Sequence, residues 1–171
     1  VGPRWITRII GAAKAFTTRV GAGPFPTERE EAIAKPMREA GGEYGTTTGR
    51  ERRIGWFDAV VVTKSARLNG LDALAITHLD VLGQFAEIPV CVAYELDGER
   101  CAEAPNHLAR FARCRPVYET LPGWQCEISG ARRFSDLPAN AQRYVRRLEE
   151  LVGVPVSLVL VGRQRDQSIV L

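Results

Sequence analysis

Hydrophobic positions in this chain recur at two spacings, and the changes from one to the other mark out its elements. Trp5, Ile6, Ile9, Ile10 and Ala13 fall at helical spacing, so a helix is predicted from Pro3 to about Ala15. Phe16-Thr17-Thr18-Arg19-Val20 has strand composition and stops at Gly21-Ala22-Gly23, whose exit Pro24-Phe25-Pro26 stiffens. Thr27-Glu28-Arg29-Glu30 has the form of a capping box. It should open a short polar helix, a surface excursion, that Pro36 interrupts and Gly41-Gly42 ends. From Phe57 to Gly70 three consecutive valines favour a strand, but the length and the Asn69-Gly70 stop favour a helix, the reading adopted.

Leu74 to Leu79 reads as a buried strand ending at Asp80. Pro89 to Leu96 and Glu99 to Ala102 should form a hairpin through a type I′ turn at Asp97-Gly98. A short helix is expected from Asn106, its cap, to Cys114. A strand follows over Val117–Leu121, ending in the turn Pro122-Gly123-Trp124. The clearest helix starts at Ser135-Asp136-Leu137-Pro138. Its apolar face is Ala141, Tyr144, Val145, Leu148 and Leu151-Val152, and Gly153 closes it. Val154 to Val161 is a near-continuous apolar run, hence a fully buried strand. Strands alternating with helices define an α/β chain with a partly parallel sheet.

Composition narrows the function classes. The 171 residues suffice for one domain with a substantial core. At 45% hydrophobic and 25% charged, the composition is that of a soluble globular protein. A net charge of +3 without an aromatic-interleaved basic stripe argues against a nucleic-acid partner. No apolar run approaches the roughly 20 residues needed to span a bilayer, so no membrane role is expected. The start at Val1 is neither a secretory signal nor an initiating Met, which suggests a piece of something larger. Cys91, Cys101, Cys114 and Cys126 contain no C-x-x-C pair, so a zinc site is not expected. Free thiols in a cytoplasmic protein are.

One stretch stands apart. Gly45 to Trp56 packs three threonines, three arginines and three glycines into twelve residues without apolar periodicity. Glycine admits a ligand close to the backbone, hydroxyls donate to anions, and the arginine fork matches carboxylate or phosphate. Composition alone leaves two readings open, a loop for a small multiply charged anion or a solvated turn before a helix. Gly21-Ala22-Gly23 is followed by Pro26 in place of a third glycine, and no Walker-spaced lysine follows. The chain therefore has neither a dinucleotide fingerprint nor a phosphate loop.

The order of several short runs adds a resemblance. These are Thr17-Thr18-Arg19-Val20-Gly21-Ala22-Gly23-Pro24-Phe25-Pro26-Thr27-Glu28, then Thr47-Thr48-Gly49-Arg50 through Gly55-Trp56 and Asp58. Leu79-Asp80-Val81-Leu82, Cys91-Val92-Ala93-Tyr94, Tyr118-Glu119-Thr120-Leu121-Pro122-Gly123-Trp124 and Gly153-Val154-Pro155 follow. Each is weak alone; in this order, across nearly the whole chain, they resemble the C-terminal portion of the adenylosuccinate synthetase family. The resemblance implies the C-terminal part of a P-loop-type α/β nucleotide-binding fold. Its central sheet would be mixed and largely parallel, with helices on both faces and a β-hairpin excursion, in one incomplete domain over residues 1–171. It further implies a ligase of AMP biosynthesis that joins IMP to L-aspartate with GTP and Mg²⁺, usually as a homodimer.

Carried over residue by residue, the loop Thr46, Thr47, Thr48, Gly49, Arg50, Glu51 and Arg52 would recognise aspartate. Arg50 would also reach the IMP ribose, and Arg52 the GTP phosphate region. Thr47 and Thr48 would donate to substrate carboxylates, while Glu51 and Arg53 read as solvated or structural. Val20 would line the IMP pocket, although a strand valine is as often core. Asp80 would read guanine, with His78 and Leu79 beside it; His78 stands where some relatives carry lysine. Leu160, Val161 and Gly162 would close over the base through backbone contacts. The family's phosphate loop, Mg²⁺-binding aspartate and catalytic histidine belong to its N-terminal half, so no catalytic or metal-binding residue is expected here. The isolated chain should be inactive. A non-catalytic remnant or stand-alone nucleotide-binding module is the alternative.

Overall fold

The computed structural model describes residues 2–171. After a 3-10 turn at Pro3–Trp5 come strands β1 (Ile10–Lys14) and β2 (Thr17–Arg19), helix α1 (Glu31–Gly41), and strands β3 (Arg53–Gly55) and β4 (Phe57–Asp58). Helix α2 (Ala59–Asn69), strand β5 (Ala73–Thr77), a 3-10 turn at Asp80–Gln84, and strands β6 (Glu87–Leu96) and β7 (Glu99–Cys101) follow. The chain ends with α3 (Leu108–Phe111), β8 (Arg115–Pro122), α4 (Ala139–Val152), β9 (Val156–Leu160) and β10 (Ser168–Val170). The central sheet has the order β1-β5-β9-β10, with β1, β5 and β9 parallel and β10 antiparallel. A second sheet carries β4, β6, β7 and β8 around the long strand β6, and β2 pairs with β3. This is the expected α/β class with a mixed, largely parallel central sheet.

The first expected helix is absent. Residues Ile10–Lys14 instead form β1, an edge strand in parallel register with Ala73–Thr77 of β5. Gly11 lies against Leu71, where a Cβ would come within 2.3 Å of Leu71 Cδ1, and Asp72 exchanges two hydrogen bonds with Ile9. Ile6, Ile9 and Ile10 remain exposed. Their helical spacing met no apolar surface, and backbone pairing with β5 decided the conformation. The N-terminal segment therefore contributes an edge strand rather than a helix.

Helix α1 (Glu31–Gly41) also departs from the expected form. The capping box at Thr27–Glu30 does not form, because Glu28 bridges to Gly55 and Thr27 is buried behind that contact. The helix opens at Glu31 with no side-chain cap, and Pro36 sits inside it without a break. The carbonyl that loses its donor belongs to exposed Ala32, where water can satisfy it. Nor is α1 a surface excursion, since Ala34, Met37 and Arg38 are buried. Gly42, in the left-handed conformation at φ 63°, closes it as expected, and Glu43 N–H donates back to the Arg38 carbonyl at 2.9 Å.

Elsewhere the periodic segments behave as anticipated. Asp58 caps α2 by accepting from Val61 N–H at 3.1 Å, which places the three valines in a helix. The Asp97-Gly98 turn has positive φ at both residues, as type I′ demands. Helix α4 buries Ala141, Tyr144, Val145, Leu148 and Val152 and ends at Gly153. The Tyr144 hydroxyl donates to the Ala15 carbonyl at 2.7 Å and so ties this helix to the end of β1. Two segments fall short. The helix expected over Asn106–Cys114 is a single turn, because the Asn106 side chain accepts from Lys64 instead of capping. Strand β9 is only partly buried, since Ser157, Leu158 and Leu160 keep some exposure beside the unforeseen β10.

Candidate functional site

Parallel strands bring their carboxyl ends to one edge of the sheet, where open α/β sheets take their ligands. Here β1 ends at Lys14, opposite Thr77 at the end of β5, and β9 ends at Leu160. Past β5 the chain turns through His78, at φ 58°, and Leu79, whose N–H donates to the Leu160 carbonyl at 3.2 Å. That bond joins the His78–Asp80 segment to the Leu160–Gly162 segment. Leu79 and Val161 are fully buried, so they can offer a ligand only backbone, whereas Asp80 at the start of its 3-10 turn is partly exposed. Gly162 lies against Gln167, whose Oε1 would be 2.2 Å from any Cβ there.

The arginine loop is a small hairpin rather than a free turn. Tyr44 bridges Glu51, Gly45 N–H donates to the Arg50 carbonyl at 2.8 Å, and Arg52 N–H donates to the Glu43 carbonyl at 3.0 Å. Thr46, Thr47, Thr48, Gly49 and Arg50 form its exposed tip. Thr48 Oγ1 accepts from Arg50 N–H at 3.3 Å. The Arg50 guanidinium makes no hydrogen bond to the described residues and projects free. Glu51 is 3.4 Å from Arg38, which also donates to the Arg52 carbonyl at 3.0 Å, so Glu51 serves the loop's own support. Arg53 grips Glu28 through two bonds of 2.6 and 2.5 Å and donates to the carbonyls of Gly21 and Gly23. Its role is structural.

Two residues that sequence reasoning passed over lie at the base of the hairpin. Glu43 is 1% exposed, and its carboxylate meets Arg52 Nη1 at 2.6 Å and Lys14 Nζ at 2.6 Å, with His78 Nε2 at 3.8 Å. Burial resists its ionisation, but hydrogen bonds from Lys14 and Arg52 prevail and hold the carboxyl below its ordinary pKa. His78 is pushed the other way from a charged state: burial keeps its imidazole below the usual value. Of the expected site residues, Arg52 and His78 are thus brought together through Glu43, and His78, Leu79 and Asp80 through Leu79 to Leu160, Val161 and Gly162. Val20 is not core; it is 69% exposed at the end of β2. Lys14 escaped notice because the segment around it read as a helix, and Glu43 because it follows a helix stop and shows no motif.

Known proteins resemble this chain over nearly its whole length. The sequence profile described as adenylosuccinate synthetase matches residues 1–169. Adenylosuccinate synthetase from Synechocystis sp. is 55% identical over 170 residues, 99% of this chain and 38% of that protein. The enzyme of that name from Prochlorococcus marinus is 56% identical over 99% of this chain and 39% of its own length. The solved structure of fully ligated adenylosuccinate synthetase from Plasmodium falciparum superposes with a TM-score of 0.95 at 35% identity, over 100% of this chain and 41% of that one. The chain thus spans well under half the length of the relatives it matches.

Proposed function

The chain belongs to the adenylosuccinate synthetase family, and we propose that it is the C-terminal portion, supplying the aspartate-recognition and guanine-binding elements. The reaction would join IMP and L-aspartate in two steps. The γ-phosphoryl group of GTP passes to the purine 6-oxygen, leaving GDP; the aspartate amine then attacks C6 and expels inorganic phosphate. All three substrates are anions, and phosphoryl transfer depends on positive groups already in position. Arg50, free at the hairpin tip, and Arg52, held at its base, would take the aspartate carboxylates, with Thr46, Thr47 and Thr48 donating beside them. Arg50 would reach the IMP ribose and Arg52 the GTP phosphates, with Val20 on the IMP side.

Asp80 would read guanine. A carboxylate accepts from N1–H and the exocyclic amine together, a pair that adenine does not offer. Leu160, Val161 and Gly162 would approach the base with backbone, and His78 would lie at its side. Mg²⁺ would be held elsewhere in the family-length protein. Among the described residues no cluster of three or more His, Cys, Asp or Glu side chains could hold a metal ion, and Glu43 is already taken by Lys14 and Arg52. We assign no step through the metal to this chain. A cytoplasmic homodimer is the assembly proposed for the whole enzyme.

The observation that carries the reading is the gathering of the arginine hairpin, His78–Asp80 and Leu160–Gly162 at one edge of the sheet. Asp80→Asn in a family-length protein tests it. An asparagine amide donates where the carboxylate accepted, so it should reject guanine and suit xanthine, which has a carbonyl at that position. Activity with GTP should fall by roughly tenfold or more while XTP becomes a substrate. Unchanged GTP use would refute the assignment.

A further inference from the structure

Among the described residues Glu43 is the one fully buried carboxylate at this edge, and it faces three basic side chains from three separate segments. Arg52 comes from the hairpin, Lys14 from the end of β1 and His78 from the end of β5. Their placement is not a surface accident. The αL cap at Gly42 fixes the backbone at Glu43, and Arg38 fixes the backbone at Arg52. Lys14 is held again by Thr18 Oγ1 at 2.9 Å. Without the carboxylate, Lys14 and Arg52 would be two cations confronting each other across a partly dry gap. The Arg52 guanidinium uses only Nη1 on Glu43, and its Nε and Nη2 make no hydrogen bond to the described residues.

We propose that Glu43 is a positioning residue of this site: its carboxylate clamps Arg52 to Lys14 and beside His78, fixing the arginine hairpin relative to the β5 edge. The clamp engages Nη1 and leaves the rest of the partly exposed Arg52 fork available to an anion, and it makes the hairpin base rigid while its tip, with Arg50, stays mobile. What that anion is rests on the functional reading above. The clamp itself does not.

The experiment is NMR on the 171-residue chain. Arginine Nε–Hε order parameters report each fork, and only two histidines, His78 and His107, need to be followed by pH titration. In the unmodified chain Arg52 should be ordered and Arg50 mobile. Glu43→Gln should lower Arg52 to the disorder of Arg50. It should also move the His78 midpoint to lower pH, since Glu43 and Asp80 favour its charged form while burial, Lys14 and Arg163 oppose it. Circular dichroism should report an intact fold. Glu43→Asp, which keeps the charge one methylene short, should fall between. L-aspartate titrated into the unmodified and Glu43→Gln chains should bind roughly tenfold more weakly to the variant, the loss of about one charge-assisted contact. An Arg52 equally ordered in the variant, or an unmoved His78, overturns the clamp; equal aspartate affinity overturns its role in binding. No aspartate binding by the unmodified chain refutes the ligand reading, while Arg52 and His78 still decide on Glu43.

Discussion

Arg50 and Arg52 lie two residues apart in one loop, yet their surroundings differ. Arg50 is exposed with a free guanidinium; Arg52 is half-buried on Glu43. Arg50→Lys keeps the charge but loses the planar fork. In a family-length protein it should weaken aspartate use by roughly tenfold and leave the melting temperature unchanged, since no described residue loses a partner. Glu43 gives a pH test. Its folded pKa lies below the ordinary 4.5, so the unfolded chain binds more protons between the two values. The stabilisation is complete above that range and drains away as pH falls through the folded pKa. Glu28, held down mainly by its hydrogen bond from Arg53, acts in the same direction. The difference in melting temperature between the unmodified chain and Glu43→Gln should therefore be large at pH 7 and shrink toward pH 3. A constant difference would mean that the carboxylate charge is not the cause. The arginines were legible because a dense cluster of one chemistry stands out in a sequence. Glu43 was not, because a lone acid shows its meaning only when three distant segments meet around it.

At the scale of elements, local signals succeeded wherever tertiary contacts agreed with them. Helix α2 illustrates this. Its valines suggest a strand, but Asp58 at its start and Gly70 at its end enforce a helix. Asp58 also accepts a hydrogen bond from buried Tyr94, linking α2 to β6, and burial holds its carboxyl above the ordinary pKa. Asp58→Ala removes the cap and strands the Tyr94 hydroxyl, a loss of about 2–4 kcal/mol measurable by urea denaturation. A loss near zero would show that neither contact contributes. The segment Ile6–Lys14 failed for the opposite reason. Its isoleucines follow a helical period, but the decisive partner, β5, lies some sixty residues away and offers backbone rather than an apolar groove. Thr27–Glu30 likewise has cap chemistry that pairing with Gly55 overrides.

For the whole molecule, β1 forms an open edge of the central sheet, and a groove of about 500 Å³ runs between it and α2, lined by Gly11, Ala13, Phe57, Val61 and Leu71. The relatives carry more than twice this chain's length, so the reaction proposed for them need not reside in this portion. Fold class was readable from alternating strands and helices; the meeting of Lys14, Glu43 and His78 was not, because it depends on which strands lie side by side. On the proposed reading, this chain positions substrates but does not move the phosphoryl group. The most direct test is a turnover assay on the purified 171-residue chain with IMP, GTP, Mg²⁺ and L-aspartate, following adenylosuccinate. No product is expected from this chain alone, and product is expected once it is joined to the remainder of a family-length enzyme; adenylosuccinate formed by the chain alone would overturn this reading.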